Sequence, residues 1–308
     1  MGAGRAWDRW KGPVFYRGLR ALGLPAVSRR VRDAGLIVCY HNVVSDEGPP
    51  QGEPGLHLSR ERFAEQMRWL AGRYAVVTLG EFADRLAAGG PMRAVAAVTF
   101  DDGYTGVFEH AVPILRALRI PATVFLVAEA AEGRAAFWWD RPEIVASATP
   151  ARRERWLGEL QGDARAIVCR GAPAAGEGLP ASYRPALWST IRAHLGDGIG
   201  IGVHSATHRS LPTLGGADLE YEVVGSRTIV QRALGVTCEF FAYPYGRWDA
   251  RVRALVKAAG YRAGLSLDVG LNAPPADPWC LRRVNVPAGI TGPAFEAWTA
   301  GLRAPARA

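Results

Sequence analysis

Short apolar runs alternate with amphipathic stretches along most of this chain, which predicts a repeating strand–helix unit. Leu36–Tyr40, Val95–Phe100, Ala122–Val127 and Gly198–Val203 are of strand length with little polar interruption, the pattern of strands covered on both faces. Shorter strands are expected at Tyr74–Val77, Phe240–Tyr243, Arg262–Leu267 and Arg283–Val286. Between them, apolar residues recur at helical spacing. Phe63, Met67 and Leu70 follow Ser59; a helix from Thr78 to Ala88 opens with the capping-box spacing of Thr78 and Glu81; Ala111–Leu118 carries Pro113 in its early turns. Asp218–Leu234 and Asp249–Ala259 each stop at a glycine. Residues 42–57, rich in Pro, Gly and acid, read as a loop. Residues 137–197 break the rhythm and read as an insertion of two or three helices with a mobile loop near 171–181. Strands alternating with helices imply a parallel sheet, and their number favours a closed barrel over an open sheet.

Composition narrows the function classes. The chain has 308 residues, 49% of them hydrophobic, enough for one α/β barrel with a sizeable core. Its formal charge of +8 comes largely from arginines scattered over helices, the mark of a solvated surface. No aromatic-basic platform or helix-turn-helix pattern accompanies that charge, so no nucleic-acid partner is expected. Residues 1–34 form a basic lead-in in which Arg5, Trp7, Trp10, Lys11, Arg17 and Arg20 mix with Tyr16, Leu19, Leu22 and Leu24. A helix packed under the barrel is the plainer expectation. The sharper one is an interfacial helix touching anionic lipid, giving peripheral contact with the inner membrane. With no apolar run of about 18 residues and no secretory pattern, a cytoplasmic protein is expected. Cys39, Cys169, Cys238 and Cys280 are widely spaced and read as reduced, mostly buried thiols.

Polar residues arrive at the ends of four expected strands: His41, Asp101-Asp102-Gly103, His204 with His208, and Tyr243-Pro-Tyr-Gly246. In parallel barrels the active site gathers at the C-terminal strand ends. Each motif alone has a bland explanation, Asp-Asp-Gly and Tyr-Pro-Tyr-Gly as turns and the histidine pair as surface residues. Packing does not explain all of them on one rim. One carboxylate and two imidazoles are a ligand set for a single divalent ion that keeps a position open for water, and zinc suits it best among the first-row metals.

Thr99-Phe-Asp-Asp-Gly103, His204-Ser-Ala-Thr-His208 and Tyr243-Pro-Tyr-Gly246 resemble the motifs of the polysaccharide deacetylase (NodB-homology) family of carbohydrate esterases. Cys39-Tyr-His41, Phe137-Trp-Trp-Asp140 and Leu281-Arg-Arg-Val284 are similar to its branch associated with bacterial exopolysaccharide synthesis. The resemblance implies an α/β fold, a distorted (β/α)7-type barrel over residues 35–290, carrying the insertion at about 137–197. The basic helix lies before it, and a C-terminal helix and tail occupy 291–308. It also implies removal of acetyl from N-acetylhexosamine units of a polysaccharide or glycolipid precursor. By the same resemblance Asp102, His204 and His208 hold the metal, Asp101 is the base, and the Tyr245 backbone N–H stabilises the oxyanion. Two positions depart from the common pattern. Ala242 stands where an arginine orients the base, which makes Arg283 the replacement candidate over Arg282. No histidine follows Leu281-Arg-Arg283, so His41 takes the place of the acid. Trp139, Tyr243 and Pro244 are expected to touch substrate, and Trp138 and Trp248 could stack on sugar rings; His57, His110 and His194 read as structural or surface residues. A hydrolase of small N-acylated or cyclic amides, or a non-catalytic carbohydrate-binding relic, are the alternatives.

Overall fold

The computed structural model describes residues 3–133, 135–169, 178–196 and 198–303, with side chains from residue 12 onward. Most of the loop expected near 171–181 lies outside the described residues, as do the last five residues of the tail and the side chains of Arg5, Trp7, Trp10 and Lys11. Ten strands are present among the described residues: β1 (Leu36–Tyr40), β2 (Asn42–Val44), β3 (His57–Ser59), β4 (Ala75–Val76), β5 (Val95–Phe100), β6 (Ala122–Leu126), β7 (Ile199–Val203), β8 (Phe240–Ala242), β9 (Ala263–Val269) and β10 (Leu281–Asn285). Seven of them, in the order β1-β10-β9-β8-β7-β6-β5, pair in parallel, and β1 pairs again with β5 to close the ring. Val38 therefore faces Val284 on one side and Val98 on the other. β4 is a spur on the first two residues of β5. Every residue of β1, β5 and β6 is buried, as continuous apolar runs covered on both faces require.

Alternation along the strands builds the barrel interior. Ile37, Ala97, Phe125, Phe240, Leu265 and Leu281 form a cluster separate from the core beneath the helices. Residues two further along a strand share the same face. Above this apolar plug, Ile37 thus gives way to Cys39 and His41, Ala97 to Thr99 and Asp101, and Leu281 to Arg283. The plug supports a polar layer at the barrel mouth.

Several elements differ from expectation. The lead-in is two helices, α1 (Ala3–Ala21) and α2 (Leu24–Val31), broken by Gly23 at φ 67°. Residues 42–57 contain the β2–β3 pair, held in parallel by three residues each, too short to register as periodicity. Among the described residues the insertion carries four short α-helices. Thr78 accepts the Glu81 amide as expected, but the Glu81 carboxylate takes Arg85 instead of closing the box. Cys39 and Cys238 are buried while Cys169 is exposed and Cys280 only partly covered. No helix among the described residues is long and apolar enough to cross a membrane.

Candidate active site

β5 delivers Asp101 and Asp102 to the mouth, and the turn that follows needs Gly103. That residue sits at φ 73°, and a Cβ there would lie 2.6 Å from Leu126 Cδ2. Asp102, Ser205, His208 and Tyr245 all have non-glycine φ values between 58° and 70°. Four left-handed residues gathered at one rim are backbone strain held where ligand atoms must be aimed. Ser205 Oγ accepts the His208 amide at 3.0 Å, and buried Glu222 accepts the amides of Ala206 and Thr207, each at 2.9 Å, together with the Thr207 hydroxyl. Glu222 thus ties down the loop bearing both histidines. A single sequence offers no signal for it, because it sits mid-helix without a motif.

Asp102, His204 and His208 are buried and converge. Asp102 Oδ1 lies 3.5 Å from His204 Nε2 and 3.3 Å from His208 Nε2, and the two nitrogens are 3.1 Å apart. A tetrahedral ion with bonds of about 2.0–2.1 Å spaces its ligands roughly 3.3 Å apart, so these separations fit one. His204 Nδ1 is 2.8 Å from the Ala242 carbonyl, which makes Nδ1 the donor and turns the Nε2 lone pair inward. Asp102 Oδ1 is buried without a hydrogen-bond partner. With the His204 Nε2 lone pair turned inward, the unpartnered carboxylate oxygen is costly unless a cation sits among the three atoms. Burial lowers both imidazoles, His208 to about 3, leaving them neutral as ligands must be. Burial raises Asp102 to about 6 against the pull of His41 and His204.

Asp101 has a different environment. Arg283, fully buried, donates from Nη1 and Nη2 to the two Asp101 oxygens at 2.7 Å each, and its Nε–H donates to the Ser266 carbonyl at 2.9 Å. Burial alone would raise the Asp101 carboxyl, but Arg283 and then His204 hold it well below the ordinary carboxylate range. Arg282, the other candidate, is exposed. Asp101 Oδ2 also lies 3.9 Å from His204 Nε2 and takes the Cys39 thiol at 3.4 Å. His41, at the end of β1, is half-buried, with a ring nitrogen within 4.8 Å of an Asp101 oxygen. Burial lowers it, partly offset by Asp102 and Asp101.

The expected substrate contacts need correction. Tyr243 is fully buried, with its hydroxyl donating to the Trp279 carbonyl at 2.8 Å, so it packs the barrel wall and offers nothing to a ligand. Pro244 is buried as well. Trp139 is only 4% exposed: Phe137 covers one face at 4.6 Å and 6°, its Nε1–H donates to the Tyr104 hydroxyl, and it presses on the His208 ring at 4.6 Å. It walls in a ligand and presents no free face to a sugar. Tyr245 brackets His208 on another side, with ring centroids 4.4 Å apart. Trp138 is buried too, which leaves Trp248 half-buried at the rim. His57 is structural as expected, in a buried network in which Asp140 accepts His57 Nε2–H at 2.8 Å and the Tyr104 hydroxyl at 2.5 Å. That network pins the insertion to the β2–β3 segment.

A family model described as polysaccharide deacetylase matches residues 88–264, which spans β5 to the start of β9 and includes the trio and Asp101. The chain belongs to the polysaccharide deacetylase family. It is therefore a hydrolase of N-acetyl amide bonds. YxkH of Bacillus subtilis (strain 168), named for the same family, is 21% identical over 269 residues, covering 87% of this chain and 76% of that protein. Among solved structures, the Streptococcus pyogenes deacetylase PplD in complex with acetate superposes with a TM-score of 0.62 at 15% identity, over 87% of this chain and 98% of that one. IcaB from Ammonifex degensii gives 0.62 at 21% identity, over 88% and 98%. Both share the fold of this deacetylase, including its closed seven-stranded barrel.

Proposed function

We propose that this chain is a metal-dependent N-deacetylase acting on N-acetylhexosamine units of a polysaccharide or glycolipid precursor. The mutual placement of Asp102 Oδ1, His204 Nε2 and His208 Nε2 beside an Arg283-clamped Asp101 carries the reading. A divalent ion held by the trio, with zinc the best match to two imidazoles and a carboxylate, supplies Lewis acidity and lowers the pKa of water. Asp101, kept ionised by Arg283, takes the proton of the attacking water through Oδ2, the oxygen on the His204 side. The Tyr245 backbone N–H donates to the oxyanion as the carbonyl becomes tetrahedral. His41 protonates the departing sugar amine, since an amine leaves poorly as an anion. Trp139 and Tyr245 exclude water around His208. Acetate and a free amino sugar are the products.

A sugar polymer is preferred here over a small amide: an open groove of about 480 Å³, lined by Ser210, Gly246, Arg247, Trp248 and Asp268 among others and by none of the trio, would give room for further sugar units. Acetate release from acetylated chito-oligosaccharides of rising length tests both points. Turnover should require added metal and increase with chain length. Release confined to small N-acylated or cyclic amides would overturn the carbohydrate assignment.

A further inference from the structure

We propose that α1 and α2, together with an arginine-lined cleft beside them, form a docking surface for a bilayer bearing anionic lipids, which turns the barrel mouth away from the membrane. Among the described residues, eight large apolar side chains stand exposed, and six of them (Val14, Phe15, Leu22, Leu24, Val27 and Val31) lie in α1, α2 and the turn between. The other two, Tyr221 and Val269, lie elsewhere in the chain, so among the described residues the exposed large apolar side chains concentrate on this helix pair. Next to it, Arg29, Arg30, Arg73 and Arg93 line an open cleft of about 730 Å³ with Gly72 and Ala94. Arg73 and Arg93 come from far along the chain, so the fold assembles this positive site from three separate segments. None of the four has a carboxylate partner among the described residues. Arg29 lies over the rings of Trp69 at 5.6 Å and Tyr74 at 5.7 Å, which fixes the cleft wall. Arg73 also lies over Trp69, at 4.8 Å, and donates to its carbonyl. Guanidinium groups without carboxylate partners, beside exposed aliphatic side chains, match phosphate headgroups lying over acyl chains, whereas a second copy of the same positive surface would be repelled.

Orientation follows from the barrel. Ala94 immediately precedes β5, Tyr74 immediately precedes β4, and Ser28 of α2 donates to the Ala300 carbonyl beyond the C-terminal helix. The surface is therefore at the end where the strands begin, and Asp101, His204 and Tyr245 are at the end where they finish. A docked chain exposes its mouth to soluble or extending polymer, so of the two substrates proposed above it reaches the polysaccharide and not a glycolipid held in the same bilayer.

Sedimentation of the full chain with phosphatidylcholine vesicles, with and without 30 mol% phosphatidylglycerol, tests the docking independently of the activity proposed above. Binding to the anionic vesicles should exceed that to neutral ones at least tenfold and fall with salt. Each arginine near such a surface is worth roughly a fivefold change, so Arg30→Gln/Arg73→Gln/Arg93→Gln should cost about a hundredfold. Val27→Asp/Val31→Asp should lose binding with an unchanged Tm. Equal binding to both vesicle types, or a concentration-dependent dimer that Val27→Asp/Val31→Asp dissolves while vesicle binding is nil, would overturn the proposal. For orientation, dyes on Val27→Cys and Ala250→Cys, in a Cys169→Ser/Cys280→Ser background, are compared with a lipid-phase quencher. Quenching at 27 and not at 250 is expected; equal quenching at both sinks the orientation.

Discussion

Asp101 and Asp102 are adjacent in sequence, yet their surroundings give them different chemistry. Asp101 is clamped through both oxygens by Arg283, while Asp102 Oδ1 meets only imidazole nitrogens. Asp101→Asn should therefore abolish turnover, by a thousandfold or more, and still bind one ion per chain. Asp102→Asn should lose the ion itself, and metal content beside acetate release separates the two. Arg283→Met leaves a buried carboxylate without its partner, a loss of about 3–5 kcal/mol when one member of such a pair is removed. The sign of its pH effect follows from the causes. In the wild type Arg283 outweighs burial and holds Asp101 low; without it burial dominates and the carboxyl rises. The base must be ionised to work, so the acid limb of kcat/KM moves to higher pH in Arg283→Met. An unmoved limb with a merely lower plateau would argue that Arg283 only supports the fold. Arg283→Lys keeps the charge but not the two-pronged geometry, and should recover part of the rate.

The loop His204–Ser210 has no regular structure of its own, and Glu222 supplies what the backbone lacks. Its carboxylate takes the buried Ala206 amide and the partly buried Thr207 amide and hydroxyl, while Ser205 and His208 stay in left-handed conformations. Glu222→Ala should weaken metal affinity about 10–100-fold, the usual effect of removing a group that orients ligands, and should also lower Tm. Glu222→Gln keeps one acceptor oxygen and should fall between the two. If the alanine variant melts early but binds the ion as tightly as wild type, the loop holds its ligand geometry without Glu222. This element also marks the limit of sequence reading. The barrel strands were legible because both faces are covered, and the converging trio because Asp-Asp-Gly and the paired histidines sit at strand ends. Glu222, the Asp140–Tyr104 network and the burial of Tyr243 were not, since each depends on which distant segments meet in space. Tyr243 was misread for the same reason: a tyrosine in a rim motif looks like a ligand contact until the Trp279 carbonyl is seen to take its hydroxyl.

At the scale of the whole molecule, the barrel separates two surfaces that composition alone mixes together. Net positive charge reads as a uniform solvated coat, yet the fold gathers Arg29, Arg30, Arg73 and Arg93 at one end and buries Arg283 at the other. β5, β7 and β10 each bring residues to a site that no segment holds alone, so ligand binding at the mouth is linked to the stability of the ring. Metal removal is the direct measure of that linkage. An ion present at about a thousandfold above its Kd adds roughly 4 kcal/mol to the folded state. In a chain of this size that corresponds to roughly 6 °C in Tm. Stripping the protein with a chelator should lower Tm by that order and silence acetate release, and one equivalent of zinc should restore both. His204→Ala should show the low Tm from the outset and no response to zinc. His41→Ala, whose ring lies beside the trio without belonging to it, should keep the full thermal shift while losing turnover. A chelator-insensitive Tm in the wild type, or a thermal shift that survives in His204→Ala, would mean that the ion lies elsewhere and that the three converging atoms serve the fold.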